Sequence, residues 1–256
     1  MVDYERMMSS AIRYSAVLAA AVVFAACRDQ TAPRGPKMLY AAPNAQIAQV
    51  AAPGTAVAAV PTVRVEIDGT PIANVQVRFT VTRGGGTVAT AVVTTDAQGI
   101  ADCGAWTLGA DGANELLASI GGDAWVTFDA LALTLATGGE VYDLFSHNGV
   151  RLPASVGDGV LYLLVAGRLV LESDSTYTAT LVSYNGGTRA FNLQFYNGPF
   201  SRSGAQIMFS NYAGTAGAIA AVQVASTPSD IDLSWMFDSG GDYPQPQDDL
   251  YRRLGR

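Results

Sequence analysis

The segment NVQVRFTVT, residues 74–82, alternates strictly between apolar and polar side chains. Its apolar positions are Val75, Val77, Phe79 and Val81. Because successive side chains of a strand point to opposite faces, this pattern predicts a strand with one buried face and one solvated face. The fold is therefore expected to contain antiparallel sheets, in which one side packs on a core.

Similar short segments surround this strand and are separated by turn signals. Residues 62–67 also alternate, DGTP at 68–71 supplies a turn, and GGG at 84–86 ends the central strand. Further strands are predicted at 91–95, 100–108, 114–120 and 124–131. Strands separated by turn signals about every 8–12 residues are typical of an antiparallel β-sandwich. We therefore expect a sandwich over residues 45–137.

The predicted strand 100–108 contains a conflict of parity. Ala101 and Cys103 fall on one face, whereas Trp106 and Leu108 fall on the other. Strict alternation cannot bury both pairs on the same side of a sheet. A bulge near Gly104 would correct the parity and make Trp106 a central core residue.

The first half resembles a known group of domains. Residues 45–135 resemble bacterial Ig-like domains of the invasin/intimin type. The resemblance is carried by four segments in order: PTVRVEIDGTPIANVQVRFTVTRGGGTV, VTTDAQGIA, WTLGADGANELLASIGG and VTFDALA. The resemblance implies a sandwich that acts as a stalk or spacer in surface proteins. It transfers no ligand-binding residue.

The second half, residues 138–237, is also predicted to contain only strands, mostly in a meander. The predicted strands are 141–145, 159–165, 168–173, 176–184, 189–196, 205–210, 218–225 and 230–237. Asn148-Gly149 is a strong hairpin signal, and a further turn is predicted at 197–198. The last segment, 238–256, combines prolines and aspartates with few apolar residues and is predicted to be a flexible acidic tail.

This half resembles the lipocalin-like β-domains of bacterial lipoproteins in three segments. They are YDLFSHNGVRLPASV, GRLVLESDSTYTATLVSY and GPFSRSGAQIMFS. The matching positions are Asn148, Gly149, Leu152, Pro153, Gly167, Leu169, Leu171, Ser175, Thr176 and Tyr177. The resemblance implies a small, closed or nearly closed antiparallel barrel. A barrel of about eight strands either fills its interior with side chains or holds one small ligand. The aromatic residues of its strands are expected mainly in the core; they are Tyr177, Tyr184, Phe191, Phe195, Tyr196, Phe200 and Phe209.

Near the start of the chain lies an apolar run of roughly a dozen residues, 16–26. A membrane-spanning helix needs about 20 residues, and the run lacks the amphipathic stripe of a core helix. It fits the apolar region of a secretion signal, residues 1–26, which is removed. Because the opening MVDYER is acidic, Met7 or Met8 is an alternative start to Met1.

The segment FAAC, residues 24–27, resembles the lipobox of bacterial lipoproteins, with Phe24 in place of the usual Leu. The resemblance implies lipidation of Cys27, which would become the first mature residue, followed by a flexible tether over 27–44. Several acyl chains anchor stably, because each buried CH₂ contributes about 0.8 kcal/mol. A cleaved signal with a coincidental cysteine is the alternative. Arg28, rather than Asp, follows Cys27 and favours the outer membrane over the inner.

The only other cysteine is Cys103, expected to be a buried free thiol. A Cys27–Cys103 disulfide is the alternative.

The composition argues against several classes of function. The net charge is −7, and no basic stripe is present, so nucleic-acid binding is not expected. The only histidine, His147, adjoins the Asn148-Gly149 turn without a nucleophile motif and is interpreted as a solvated turn residue. One histidine and one free cysteine cannot form a structural zinc site, and the tail aspartates match no calcium loop. No catalytic residue, metal or cofactor is therefore expected.

Glu140, Asp143 and Glu172 are expected at strand ends or on solvated faces. The sequence thus predicts a monomeric, non-catalytic envelope protein that meets the membrane through Cys27. Its Ig-like spacer would display a barrel that binds a protein or small-molecule partner, as in adhesion. The alternatives are a carrier of a small hydrophobic ligand in the barrel and an unrecognised hydrolase that uses His147.

Overall fold

The computed structural model describes residues 37–43, 45–122, 124–156, 162–204, 206–209, 222–227, 230–237 and 245–254. The predicted signal 1–26, Cys27 and the tether up to residue 36 lie outside these residues. The chain divides into two compact units, one comprising Lys37–Glu66 and Pro71–Arg256; of the other, only Ile67–Thr70 is described. Among the described residues, no helix has the length and apolarity needed to cross a membrane.

All regular elements in the described residues are strands, as predicted. Those of the first half are β1 (Met38–Ala41), β2 (Ala48–Ala51), β3 (Thr62–Ile67), β4 (Thr70–Pro71), β5 (Gln76–Arg83), β6 (Gly86–Val88), β7 (Val92–Thr94), β8 (Ile100–Asp102), β9 (Trp106–Leu108), β10 (Gly112–Ser119) and β11 (Trp125–Ala132). Those of the second half are β12 (Glu140–His147), β13 (Val150–Arg151), β14 (Ala154–Ser155), β15 (Tyr162–Leu171), β16 (Thr176–Asn185), β17 (Ala190–Ser203), β18 (Gln206–Phe209), β19 (Val222–Thr227), β20 (Asp230–Phe237) and β21 (Gln245–Arg253).

The first half buries one face of a five-stranded sheet, ordered β2-β11-β10-β5-β7. The alternation predicted for β5 is confirmed, since Val77 and Phe79 are buried between exposed polar neighbours. A second sheet pairs β3 with β1 on one side and β8 on the other. Side chains of both sheets, among them Val65 and Phe128, belong to one hydrophobic cluster. Burial of these side chains is the main source of stability for this half.

The segment 100–108 forms two short strands instead of the predicted single bulged strand. β8 pairs with β3, whereas β9 pairs with β6. Gly104 lies between them with a φ of +67°, a conformation that is strained for residues with a side chain. The change of direction lets Cys103 and Trp106 both be fully buried, which confirms Trp106 as a core residue.

The second half forms one curled sheet of ten strands, ordered β13-β12-β21-β20-β19-β18-β17-β16-β15-β14. β12 pairs with β21 and, over Glu140–Asp143, also with β15. The path of pairings therefore returns to β12 after passing through eight strands. The concave face carries a second hydrophobic cluster, which includes Leu169, Leu181 and Ile231.

Two predicted interruptions of this sheet are wrong. Residues 162–171 form one continuous strand, β15, where the sequence suggested two strands separated near Gly167. Gly167 serves close packing rather than a turn, because an added Cβ would lie 2.9 Å from Leu144 Cβ. The turn predicted at 197–198 is likewise absent, and β17 runs through it to Ser203.

The predicted chain termini also need correction. The flexible tether was predicted to cover residues 27–44. Within that range Met38–Ala41 forms strand β1, which pairs with β3. The tail predicted to be flexible over 238–256 contributes β21, which pairs with β12 and β20. The second half therefore extends beyond the predicted boundary at residue 237. The pairing of β21 is made by backbone groups. The many charged side chains of this segment therefore did not indicate a strand.

Candidate functional site

His147 is the only histidine and was the candidate residue for acid–base chemistry. It was predicted to be a solvated turn residue, and this prediction is wrong. It ends β12 beside the hairpin turn, yet only 3% of its surface is exposed. The partner strand β21 places Asp249 opposite His147 in the register. The histidine is therefore buried by a strand that the sequence did not predict.

Both ring nitrogens of His147 have partners. Nδ1 lies 2.7 Å from Asp249 Oδ1, and Nε2 lies 3.3 Å from Asn148 Nδ2. The arrangement fits an imidazole that donates from Nδ1 to the carboxylate and accepts at Nε2 from the Asn148 amide. The side chains of His147 and Asp249 are only 4% and 3% exposed. This geometry fastens the β12 hairpin to β21.

A second polar cluster joins the first half of the chain to the curled sheet. We call Thr82, Glu115, Asp129, Tyr184 and Arg189 the junction cluster. Arg189 Nε and Nη2 donate to Asp129 at 3.0 and 2.8 Å, and Nη2 also donates to Glu115 at 2.7 Å. The Tyr184 hydroxyl donates to Asp129 at 2.5 Å. Asp129 thus accepts charge-assisted hydrogen bonds from Tyr184, near the end of β16, and from Arg189, in the turn between β16 and β17.

The protonation energetics of the junction cluster favour its charged form. The hydrogen bond from Thr82, together with Arg189, holds the pKa of Glu115 below its usual value despite burial. Hydrogen bonding to Asp129 raises the pKa of the Arg189 guanidinium, although burial opposes this shift. Burial and the Asp129 carboxylate raise the pKa of Tyr184 above its usual value. At neutral pH, Tyr184 therefore keeps the proton that it donates to Asp129.

The junction cluster was not predicted from the sequence, although β11 carries one signal of it. Phe128 and Ala130 face the core of the first half, so alternation places Asp129 on the opposite face. Asp129 is nevertheless only 7% exposed. A carboxylate in the apolar segment VTFDALA is a signal for a buried ion pair. Its partner in the β16–β17 turn could not be read from the sequence.

Of the other predicted candidates, Glu140 and Glu172 line one cleft, whereas Asp143 and Cys103 lie elsewhere in the fold. Glu140 accepts hydrogen bonds from Tyr142 and Arg202, and Asp143 forms a two-point ion pair with Arg168 at 2.6 and 3.0 Å. Cys103 is a buried free thiol, as predicted, and burial raises its pKa to about 12. The hydrogen-bond partners of Glu140, Asp143 and Cys103 in the described part of the chain do not include His147.

The aromatic residues of the curled sheet are divided in their exposure. Tyr177, Tyr184 and Phe209 are buried, as expected, and Phe191, Tyr196 and Phe200 are half-buried. Phe195 is 64% exposed, contrary to the expected core role. The half-buried members leave part of their ring surface exposed.

Among the described residues, no group of three or more His, Cys, Asp or Glu side chains could hold a metal ion. Comparison with known proteins gives no relative: no family model matches the chain, and no match was found among curated proteins or solved structures. Functional inference therefore depends on the geometry of the chain itself.

Proposed function

We propose that this chain is a non-catalytic, lipid-anchored protein of the cell envelope, attached through Cys27 and favouring the outer membrane. Its first half acts as an Ig-like sandwich and spacer, and its second half as a lipocalin-like barrel that presents a binding or interaction surface. The mature chain works as a monomer.

The strand pairings support both parts of this proposal. Two sheets share one hydrophobic cluster in the first half, as the layers of a sandwich do. In the second half, the return of the pairing path to β12 fits a closed antiparallel barrel of eight strands. Closure would remove the exposed sheet edges on which unwanted strands could pair.

The observation that carries the proposal is the junction cluster. A display protein must fix the direction of its binding domain relative to the part that holds it. Arg189 and Tyr184 from the curled sheet meet Asp129 of β11 in a buried, multiply hydrogen-bonded contact. Such a contact restrains the hinge motion that a flexible linker alone would allow.

The rival functions have less support. A carrier of a hydrophobic ligand needs an open apolar interior, whereas the concave face of the curled sheet is covered by large packed side chains such as Leu169 and Tyr177. A hydrolase built on His147 needs an accessible imidazole nitrogen, whereas both nitrogens face Asp249 and Asn148. Neither geometry favours these activities.

Metabolic labelling with an alkyne analogue of palmitate tests the anchor. The chain contains two cysteines, which supplies a matched pair of variants. We expect wild type and Cys103→Ala to carry the label in the membrane fraction, and Cys27→Ala to lose it. The thioether at Cys27 would be the only attachment of the diacylglycerol.

Absence of label on the wild-type chain would contradict the lipid anchor. Label that persists in Cys27→Ala would place the acyl group elsewhere. Either result would leave an Ig-like spacer and barrel without the proposed attachment.

A further inference from the structure

An open cleft of about 460 Å³ lies at one end of the curled sheet. It forms where β12 begins, β15 ends, and β17 passes the turn between β15 and β16. Its lining includes Glu140, Glu172, Ser173, Ser175, Phe200 and Arg202. We call it the end cleft. Its volume falls in the range of small-molecule sites, about 300–1,000 Å³.

The charged groups of the end cleft balance one another. Glu140 Oε2 accepts from Arg202 Nη2 at 2.5 Å, and Glu140 Oε1 lies 3.8 Å from Arg253 Nη2. Glu172 adds a second carboxylate to the lining. Arg253 contacts Glu140 from outside the lining, and with it the formal charges of the two carboxylates and two guanidinium groups cancel. The side chains of Arg202 and Glu140 are 44% and 31% exposed, and their remaining donors and acceptors can therefore reach a ligand.

Glu140 stays ionised at neutral pH in this setting. Burial alone would raise its pKa, but hydrogen bonds from Arg202 and Tyr142 and the nearby guanidinium charges outweigh burial and lower it. The carboxylate is therefore a permanent acceptor in the cleft.

An aromatic ring forms an apolar wall of the end cleft. Phe200 is half-buried, with Arg202 Cζ 5.7 Å from its ring centre. Its ring centre lies 6.4 Å from that of Phe209, which packs edge-on against Tyr177 at 4.7 Å. These contacts hold the ring in place and leave part of its surface open to the cleft.

The geometry points to a neutral carbohydrate as the ligand of the end cleft. This inference rests on the proposed binding role of the curled sheet and names its ligand class. Sugar hydroxyls both donate and accept, so they can pair with the carboxylates, the Arg202 guanidinium and the serine hydroxyls together. The C–H face of a sugar ring can pack on Phe200. An anionic ligand would meet Glu140 and Glu172, and a cationic ligand would meet Arg202, with the charge of Arg253 close to Glu140.

The test is a binding titration of the full chain with neutral tetrasaccharides of glucose, in α-1,4 and β-1,4 linkage, and of N-acetylglucosamine. Tetramers of galacturonic acid and glucosamine serve as anionic and cationic counterparts. We expect saturation-transfer NMR and calorimetry to detect at least one neutral tetramer. The charged tetramers should bind about tenfold more weakly or not at all.

Two variants locate the binding site. Phe200→Ala should lower the affinity about tenfold, since it removes the ring surface. Glu172→Gln, which changes a partly exposed side chain and preserves its shape, should lower it about threefold. The matched control is Phe195→Ala, which removes an exposed ring from the same strand outside the end cleft and should bind as wild type does. If Phe200→Ala fails to fold, Glu172→Gln alone decides.

The inference is overturned if no neutral tetramer binds, if a charged tetramer binds more tightly, or if the cleft variants bind as Phe195→Ala does. Palmitate labelling at Cys27 does not involve this cleft. A labelled chain that binds no carbohydrate would therefore overturn the ligand class alone, whereas an unlabelled chain would overturn the anchor alone.

Discussion

Arg189 connects two parts of the chain that are far apart in sequence. Its guanidinium contacts Asp129 and Glu115, which are 60 and 74 residues away. The Arg189 side chain is 42% exposed, but that of Asp129 is only 9% exposed. The buried carboxylate, rather than the arginine, therefore determines the energetic consequence of breaking the pair.

Replacing Arg189 by Ala should lower the free energy of unfolding by about 3 kcal/mol, because it leaves Asp129 buried with one fewer cationic partner. Urea unfolding followed by circular dichroism measures the change. The control is Arg64→Ala, which leaves the more exposed carboxylate of Glu66, 19% against 9% for Asp129, and should cost less than about 1 kcal/mol. Equal losses of unfolding free energy in the two variants would contradict the larger contribution to stability that we assign to the junction cluster.

His147 should matter for stability rather than for chemistry. Replacing it by Ala leaves the Asp249 carboxylate buried without its imidazole partner, and the expected loss is about 3–5 kcal/mol. Thermal and urea unfolding measure it. The control is Val150→Ala, an exposed residue on the other side of the same turn, where we expect a loss below about 1 kcal/mol. A His147→Ala chain as stable as wild type would show that the buried pair contributes little.

At the scale of elements, β21 decides whether the curled sheet can return to its first strand. It pairs with β20 over Asp230–Phe237 and with β12 over Tyr142–His147. Tyr251, within β21, is 2% exposed and belongs to the cluster on the concave face. The strand therefore contributes both backbone pairing and core packing.

Hydrogen exchange followed by mass spectrometry tests the ordering of β21. The amides of 249–253 should exchange at least about a hundredfold more slowly than unstructured peptide, because opening them requires breaking two strand pairings. The non-strand segment 134–137 provides an internal comparison and should exchange faster. If the amides of 249–253 exchange at the rate of an unstructured peptide, the segment is flexible, as the sequence predicted, and β21 is not a stable strand.

At the scale of the whole molecule, the buried tyrosines make stability depend on alkaline pH. Burial raises the pKa of Tyr177 to about 12, and Tyr142, Tyr184 and Tyr196 shift in the same direction. The folded chain therefore keeps protons that the unfolded chain releases above about pH 10. The stabilising contribution is complete below pH 10 and is lost as the pH rises towards 12 and beyond.

The free energy of unfolding should therefore fall between pH 10 and pH 11.5, with Tyr177 contributing roughly 1 kcal/mol per pH unit. Urea titrations at several pH values measure this slope, and absorbance at 295 nm follows tyrosinate formation. Tyr177→Phe should make the slope shallower. An unchanged slope in this variant would contradict the raised pKa of Tyr177.

The sequence predicted those features that depend on neighbouring residues. The bounds of β3 and β20 match the predicted 62–67 and 230–237, and the alternation over 74–82 identified the buried face of β5. Trp106 was identified as a core residue from a parity conflict within nine residues. In each case the period of two along a strand is a local property, so the amino-acid order records it directly.

Only the tertiary structure revealed the contacts between distant residues. His147 and Asp249 are 102 residues apart, and the burial of both depends on β21. A break between strands was predicted at 166–167 because the sequence does not show that Gly167 packs against the Leu144 side chain inside β15. The end cleft and the junction cluster likewise arise where separate strands meet. Local order determined strands such as β3, β5 and β20, whereas the continuity of β15 and β17, the pairing of β21 and the polar sites were decided by the sheet register that brings the strands together.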